Sequence, residues 1–339
     1  MTIGVRHDNR RSLTSYPKGT ITMKKLKIAL LSGGISSERE VSLNSGQQVY
    51  EALDKTRYDI VRYDPQTDLP DLVANAGQID AALVILHGPF GEDGTIQGLL
   101  DLLDIPYQGA GVLGSAVAMN KLMAKRLYEQ AGLKIPPYCI VRRGPMPELG
   151  GCIQHLELPI VVKPVEGGSS IGMSIAHSEE ELRDAVEEAF SYDKLVLLEK
   201  FLEGTEVTGG VIGNDDPEAL PLIEIVPGKE HAFFNYKAKY TAGETEEICP
   251  ARISDVHTDM AQACAIRAHE ALFCRGYSRT DMIIHQDEIY VLETNTIPGM
   301  TATSLFPQAA AKAGMDFTRL LDRLIALSLE GRTNRGGDG

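Results

Sequence analysis

RTDMIIHQDEIYVLETNTIPGM, residues Arg279 to Met300, is the stretch from which the rest of the chain can be read. Two runs of β-branched and aliphatic residues flank the polar tetrapeptide His285-Gln286-Asp287-Glu288, the pattern of an antiparallel hairpin. Side chains two apart on a strand share a face, so Arg279 and Asp281 point one way on the first strand, as do Glu293 and Asn295 on the second. With the turn centred near Asp287, Asp281 falls opposite Glu293. Two facing carboxylates repel unless a cation lies between them, and oxygen donors beside an amide suit a hard ion such as Mg2+. Such a site would hold the phosphates of ATP. The competing reading is an exposed hairpin with solvated charges, and the rest of the chain has to decide between them.

The bulk composition narrows the choice. A chain of 339 residues, 43% hydrophobic, can bury more than one core and favours several domains. A net charge of -14 argues against non-specific nucleic-acid binding, which needs surplus Lys and Arg. No apolar run approaches the ~20 residues of a membrane helix, and the start lacks the three regions of a signal peptide. The five cysteines are scattered and without CxxC spacing, which fits a reducing cytoplasm with neither disulfides nor zinc. Residues 1–22, polar and without apolar periodicity, are expected to be disordered, with Met23 as an alternative start; the tail 331–339 is read the same way.

Between the ends, strand and helix patterns alternate, as in α/β layers. LKIALLSGG reads as a buried strand running into a glycine turn, and SLNSGQQVYEALD as the helix after it. AALVILHG is a second buried strand. SAVAMNKLMAKRLYEQAG is read as one helix, leading through IPPYCIV into a new domain. LPIVVKP and KLVLLEKFL are strands around the helix SEEELRDAVEEAF, where Ser178 and Glu181 have capping-box spacing.

Four further segments carry chemistry. SGGISSERE sets Glu38 and Arg39 beyond a Gly33-Gly34 turn at the carboxyl end of a strand, where open α/β sheets form their crevices; a plain strand-to-helix connection is the alternative. HGPFGEDG brings His87, Glu92 and Asp93 to another strand end; His87 is the better candidate, while the two acids are expected to cap the next helix. KPVEGGSSIG joins Lys163 to a Gly167-Gly168-Ser169-Ser170 loop able to fold over phosphates, though it lacks the order of a Walker A loop. NYKAKYTAGETEEICPA, with Lys237, Lys239 and Tyr240, has the length and polarity of a lid.

Taken in order, GGxSxEREVSLNSG, HGxxGEDGTxQGLL, GSSxGM, KAKY and NTxPGMTxxSL resemble the D-alanine-D-alanine ligases of the ATP-grasp superfamily, from about Lys27 to Leu329. The resemblance implies a three-domain α/β ATP-grasp architecture: a Rossmann-like N-terminal domain (23–115) with the D-alanine site, a central subdomain (116–205), and a C-terminal subdomain (206–330) with lid and metal site. It further implies ATP-dependent joining of two D-alanine molecules through a D-alanyl phosphate, for peptidoglycan synthesis, in a cytoplasmic homodimer.

Residue by residue, the resemblance assigns Lys121, Lys163 and Lys239 to the phosphates, Glu199, Lys200, Phe201 and Leu202 to the adenine edge, and Glu206 to the ribose. Asp281, Glu293 and Asn295 match ligands of Mg2+ or Mn2+, with a pair of ions implied. Glu38 matches the anchor of the first D-alanine's ammonium, and Ser169 and Tyr240 the residues that tie glycine loop and lid to it. His87 stands beside the first D-alanine, Ser304 and Leu305 receive the second one's carboxylate, and Arg279 with the Gly299 N–H would stabilise the oxyanion.

This chain departs from the family's pattern at Asn120, where Asp is usual, at Thr294 and Ile297 in the metal strand, and at Glu166 before the glycine loop. Two rival functions are separated by single residues. A D-alanine-D-lactate ligase would carry His in the lid where Tyr240 stands, and a non-catalytic nucleotide-binding relative would be expected to lose Asp281 or Glu293.

Overall fold

The computed structural model describes residues 24–144, 149–168, 171–228 and 245–333. Ser169, Ser170, Lys237, Lys239, Tyr240, the first 23 residues and the tail from 334 lie outside them.

Three sheets organise the chain. The first is parallel, with order β2-β1-β3, built from β1 (Leu26–Ser32), β2 (Tyr58–Tyr63) and β3 (Ala81–Ile85). β1 and β3 are almost wholly buried, as apolar runs covered on both faces should be. Helix α1 (Arg39–Ala52) lies on β1 through a face of Ser42, Ser45, Gly46 and Val49. A Cβ on Gly46 would stand 2.5 Å from the Ser32 side chain, so glycine sets how closely the helix approaches. Helices α2 (Leu69–Asn75) and α3 (Thr95–Leu102) complete this layer.

The stretch read as one helix is two. α4 (Val112–Met119) ends at Asn120, whose extended backbone (φ -96°, ψ 99°) restarts the chain as α5 (Lys121–Gln130). The Asn120 side chain accepts the Met123 N–H at 3.0 Å, a helix N-cap that uniform apolar spacing did not betray. The Lys121 N–H, released from α4, donates to the Val165 carbonyl at 3.0 Å and ties α5 to the start of the glycine loop.

The second sheet, with order β4-β7-β5-β6, is antiparallel: β4 (Tyr138–Arg142), β5 (Ile160–Pro164), β6 (Ser174–Ala176) and β7 (Leu195–Lys200). Helices α6 (Gly150–Leu156) and α7 (Glu179–Ala189) cover it and enclose a core of their own around Val162, Leu182 and Val186. Ser178 accepts the Glu181 N–H at 3.2 Å, and the Glu181 carboxylate returns to the His177 N–H at 2.8 Å, one residue earlier than in an ideal capping box.

The third sheet has order β11-β10-β8-β12-β13, with β9 against β8. Its strands are β8 (Thr205–Gly213), β9 (Glu218–Ala219), β10 (Ile223–Pro227), β11 (Thr245–Ile248), β12 (Gly276–His285) and β13 (Glu288–Asn295). α8 (Asp255–Ala271) packs on it, and α9 (Leu305–Lys312) and α10 (Phe317–Thr333) run back to the first sheet. One apolar core includes Ile28, Leu30 and Ile85 of the parallel sheet together with Tyr277, Phe306, Leu320 and Leu324. The N-terminal and C-terminal regions are thus fused through a shared interior, whereas the central sheet keeps its own.

The hairpin forms as expected, with a difference in detail. Its turn is Gln286-Asp287, both at positive φ (50° and 61°), which pairs His285 with Glu288. That turn alone would place Leu292 opposite Asp281. A bulge between Asp281 and Met282 advances the ladder by one residue, giving Asp281↔Glu293 and Arg279↔Asn295.

Candidate active site

Glu38, at the N-cap of α1, is 5% exposed. Gly88 makes room for it: at φ +70° it follows β3 into a turn where a Cβ would meet a Glu38 carboxylate oxygen at 3.1 Å. Ser36 locks the two strand ends together, its hydroxyl donating to the His87 carbonyl at 2.7 Å and accepting the Glu38 N–H at 3.2 Å. His87 is 7% exposed, and its Nε2 has no hydrogen-bond partner among the described residues. Burial drives its pKa down, opposed only in part by the Glu38 carboxylate. Arg39, the neighbour singled out with Glu38, instead holds Asp64 at 2.6 Å and braces the glycine turn.

Glu92 and Asp93, expected to behave alike, part company. Asp93 accepts the Phe90 and Thr95 N–H groups, taking up the first N–H of α3 from one residue ahead of its Gly94 N-cap. Glu92 accepts the Gly88 N–H at 2.6 Å and lines the cleft beside Glu38 and His87. Burial raises its carboxyl to about 8. A GEDG turn has no sequence signal that separates an acid facing inward from one capping a helix.

On β12, Arg279 is 9% exposed and reaches both Asp281 oxygens at 3.1 Å; Thr208 of β8 donates to Asp281 at 2.6 Å. The Glu293 carboxylate makes no hydrogen bond among the described residues, and the Asn295 amide oxygen accepts the Ile297 N–H at 2.9 Å. Two carboxylates and an amide oxygen on adjacent strands are the donor chemistry of a hard divalent cation. No group of three or more His, Cys, Asp and Glu suited to a metal occurs among the described residues, so any such set here includes the amide. Thr294, where the sequence departs from the family's pattern, bonds Tyr128 at 2.7 Å and Thr280 at 2.9 Å on the buried side of β13.

Gly299 lies against Ser304, whose hydroxyl accepts the Thr301 N–H at 3.1 Å at the N-terminus of α9. Leu305 follows it, 8% exposed, as part of the shared core. Lys121 donates to the Gly167 carbonyl at 2.6 Å. Lys163 lies 2.7 Å from Glu199, whose other oxygen is held by Lys125. Burial alone would raise the Glu199 pKa, but the two ammoniums outweigh it and hold the carboxyl at about 2. Lys200 pairs with Glu157 at 2.7 Å, the Phe201 N–H donates to Pro159, and Leu202 is 7% exposed at the end of the strand.

Most of these residues surround two adjoining cavities. The larger, about 590 Å³, is lined by Glu38, His87, Glu92, Lys121, Arg279, Glu293, Asn295, Gly299, Ser304 and Leu305. The smaller, about 70 Å³, is lined by Lys121, Lys163, Glu206, Asp281 and Glu293. Lys121, Gly168 and Glu293 border both. Lys125, which holds Glu199 from α5, carries no signal in the sequence, because a lysine in an amphipathic helix is ordinarily a surface residue.

Family models described as the D-ala D-ala ligase N-terminus and C-terminus match residues 27–70 with 62–110, and 127–326. The chain belongs to the D-alanine-D-alanine ligase family. A D-alanine–D-alanine ligase of Syntrophobacter fumaroxidans is 60% identical over 91% of this chain and 100% of its own length; one from Desulfotalea psychrophila is 53% identical over 93% and 98%. Among solved structures, the Bacillus anthracis ligase complexed with ATP superposes with a TM-score of 0.80 at 33% identity, covering 92% of this chain and 100% of that one. VanG D-Ala:D-Ser ligase from Enterococcus faecalis gives 0.78 at 32%, covering 90% and 100%. The fold is therefore the family's α/β ATP-grasp fold, with the parallel sheet as its Rossmann-like part. No helix among the described residues is long and apolar enough to cross a membrane.

Proposed function

We propose that the protein joins two molecules of D-alanine into D-alanyl-D-alanine for cell wall synthesis, with ATP converted to ADP and phosphate through a D-alanyl phosphate. The observation that carries this reading is the pair of cavities meeting at Lys121, Gly168 and Glu293: one side offers groups for amino acids, the other a lysine and carboxylates for a nucleotide.

A carboxylate is a poor acyl donor. Transfer of the γ-phosphoryl group to an oxygen of the first D-alanine makes its carbonyl reactive; the amine of the second then attacks it, and phosphate leaves. Glu38 would pair with the first ammonium, with neutral His87 beside it, and Lys121 and Lys163 would offset the phosphate charge. Arg279 and the Gly299 N–H suit the oxyanion, and the N-terminus of α9 at Ser304 and Leu305 suits the second carboxylate. When bound by Asp281, Glu293 and Asn295, Mg2+ or Mn2+ would supply further charge neutralisation. Glu199, Lys200, Phe201 and Leu202 are assigned to adenine and Glu206 to ribose by family likeness. Motif alone assigns Lys239 to phosphate, and Ser169 and Tyr240 to closing the site against water, which would otherwise hydrolyse the acyl phosphate. A homodimer and a cytoplasmic location are proposed on family likeness alone.

The test is phosphate release and dipeptide formation by the purified protein with ATP, Mg2+ and, separately, D-alanine, D-lactate, D-serine and L-alanine. D-Alanine should support turnover. Absence of phosphate release with D-alanine would sink the proposal.

A further inference from the structure

Lys125 is the one lysine among the described residues that is buried outright, at 1% exposure, one turn along α5 from Lys121. Its ammonium rests on one oxygen of Glu199, and both side chains are 2% exposed. The Tyr138 ring stands 5.6 Å from the same ammonium, on the strand register that pairs Tyr138 with Glu199. Lys163 occupies the other Glu199 oxygen and, at 13% exposure, is the member of the trio that borders the smaller cavity. Two ammoniums thus share one carboxylate.

That ratio has a consequence for ligand binding. If Lys163 were the sole partner of Glu199, turning it towards a phosphate would leave a buried carboxylate without a counter-charge, and the pair would resist opening. The Glu206 and Glu293 carboxylates also act on Lys163 from the cavity side. With Lys125 in place, Glu199 keeps a counter-charge whichever way Lys163 turns. Burying an ammonium is costly, and a helix-to-strand contact of this size could be apolar. A lysine here is accounted for if its charge is used.

We propose that Lys125 is a positioning residue for the nucleotide site: by holding one oxygen of Glu199, it frees Lys163 to leave the other and take up a nucleotide phosphate. This rests on the nucleotide-binding reading of the smaller cavity. It differs from a purely structural ion pair because it couples Lys125 to the phosphates of a ligand and not to its adenosine.

Calorimetric titration with ATP and with adenosine separates the two. In Lys125→Met, the ratio of ATP affinity to adenosine affinity should fall about tenfold, within the range of coupling between side chains of one network. Lys125→Arg, which keeps the charge, should stay near the wild-type ratio. The double variant K125M/E199Q should recover most of the loss, because a neutral side chain no longer holds Lys163; taking the ratio to adenosine cancels any change at the base. Should K125M fail to fold, Lys125→Gln carries the same expectation. An unchanged ratio in the neutral variant, no recovery in the double variant, or loss of fold in both neutral variants would overturn the proposal. A wild-type protein that binds no ATP would instead overturn the nucleotide reading on which it stands.

Discussion

Asp281 and Glu293 face each other across β12 and β13 because Leu292 is left over. Met282 pairs with Val291, yet Asp281 pairs with Glu293, so the bulge falls at the step that leads into the site. It also breaks the alternation of β13: Ile289 and Val291 are buried before it, and Thr294 after it. The strand can thereby present apolar residues to α8 near the turn and carboxylate and amide to the cleft at its end.

Glu293→Gln keeps the shape of this position and removes its charge. Turnover with ATP and D-alanine should be abolished while the circular dichroism spectrum and melting temperature stay close to wild type. A near-normal rate would count against Glu293 as a metal ligand.

Glu38→Gln should act on the amino acid instead. Losing a charged hydrogen bond of ~1.5–3 kcal/mol predicts a KM for D-alanine raised about ten- to a hundredfold. The KM for ATP should change little; if it rises in step, Glu38 is not the ammonium anchor.

His269, 1% exposed and bonded through Nδ1 to Ser278 at 2.8 Å, is far from titrating normally. Burial lowers its pKa from 6.5 to about 4. The unfolded chain therefore binds this proton first as pH falls, so the contribution to stability is present above about 6.5 and is lost progressively towards 4. Between pH 7 and pH 5 the loss should be on the order of 2 kcal/mol. Denaturant titrations at the two pH values should show it, and His269→Asn should flatten the difference.

Gly204 precedes β8, and a Cβ there would stand 2.1 Å from the Ile284 carbonyl oxygen. Gly204→Ala must push β8 away from β12 near Glu206. Overpacking of this kind costs about 1–3 kcal/mol, so the melting temperature should fall and ATP binding should weaken with it. An unshifted melting temperature would show that the two strands separate without cost.

Much of this protein was legible in residue order. The hairpin, the buried parallel strands, the Ser178 cap and the set of acids and lysines each follow from local periodicity, turn chemistry and motif spacing, which act over a few neighbouring residues. The single helix expected through Asn120 was wrong because apolar spacing continues across a break made by a side-chain cap and by the Lys121 N–H bonding Val165. Asp281 and Glu293 do face each other, but through a bulge that a regular ladder counted from the turn does not contain. The separation of Glu92 from Asp93 and the burial of Lys125 against Glu199 depend on contacts between segments distant in sequence. The sequence by itself determined which chemical groups are present and on which local elements. Only the tertiary structure decided which of them lose water and meet, because desolvation and pairing depend on neighbours that chain order does not bring together.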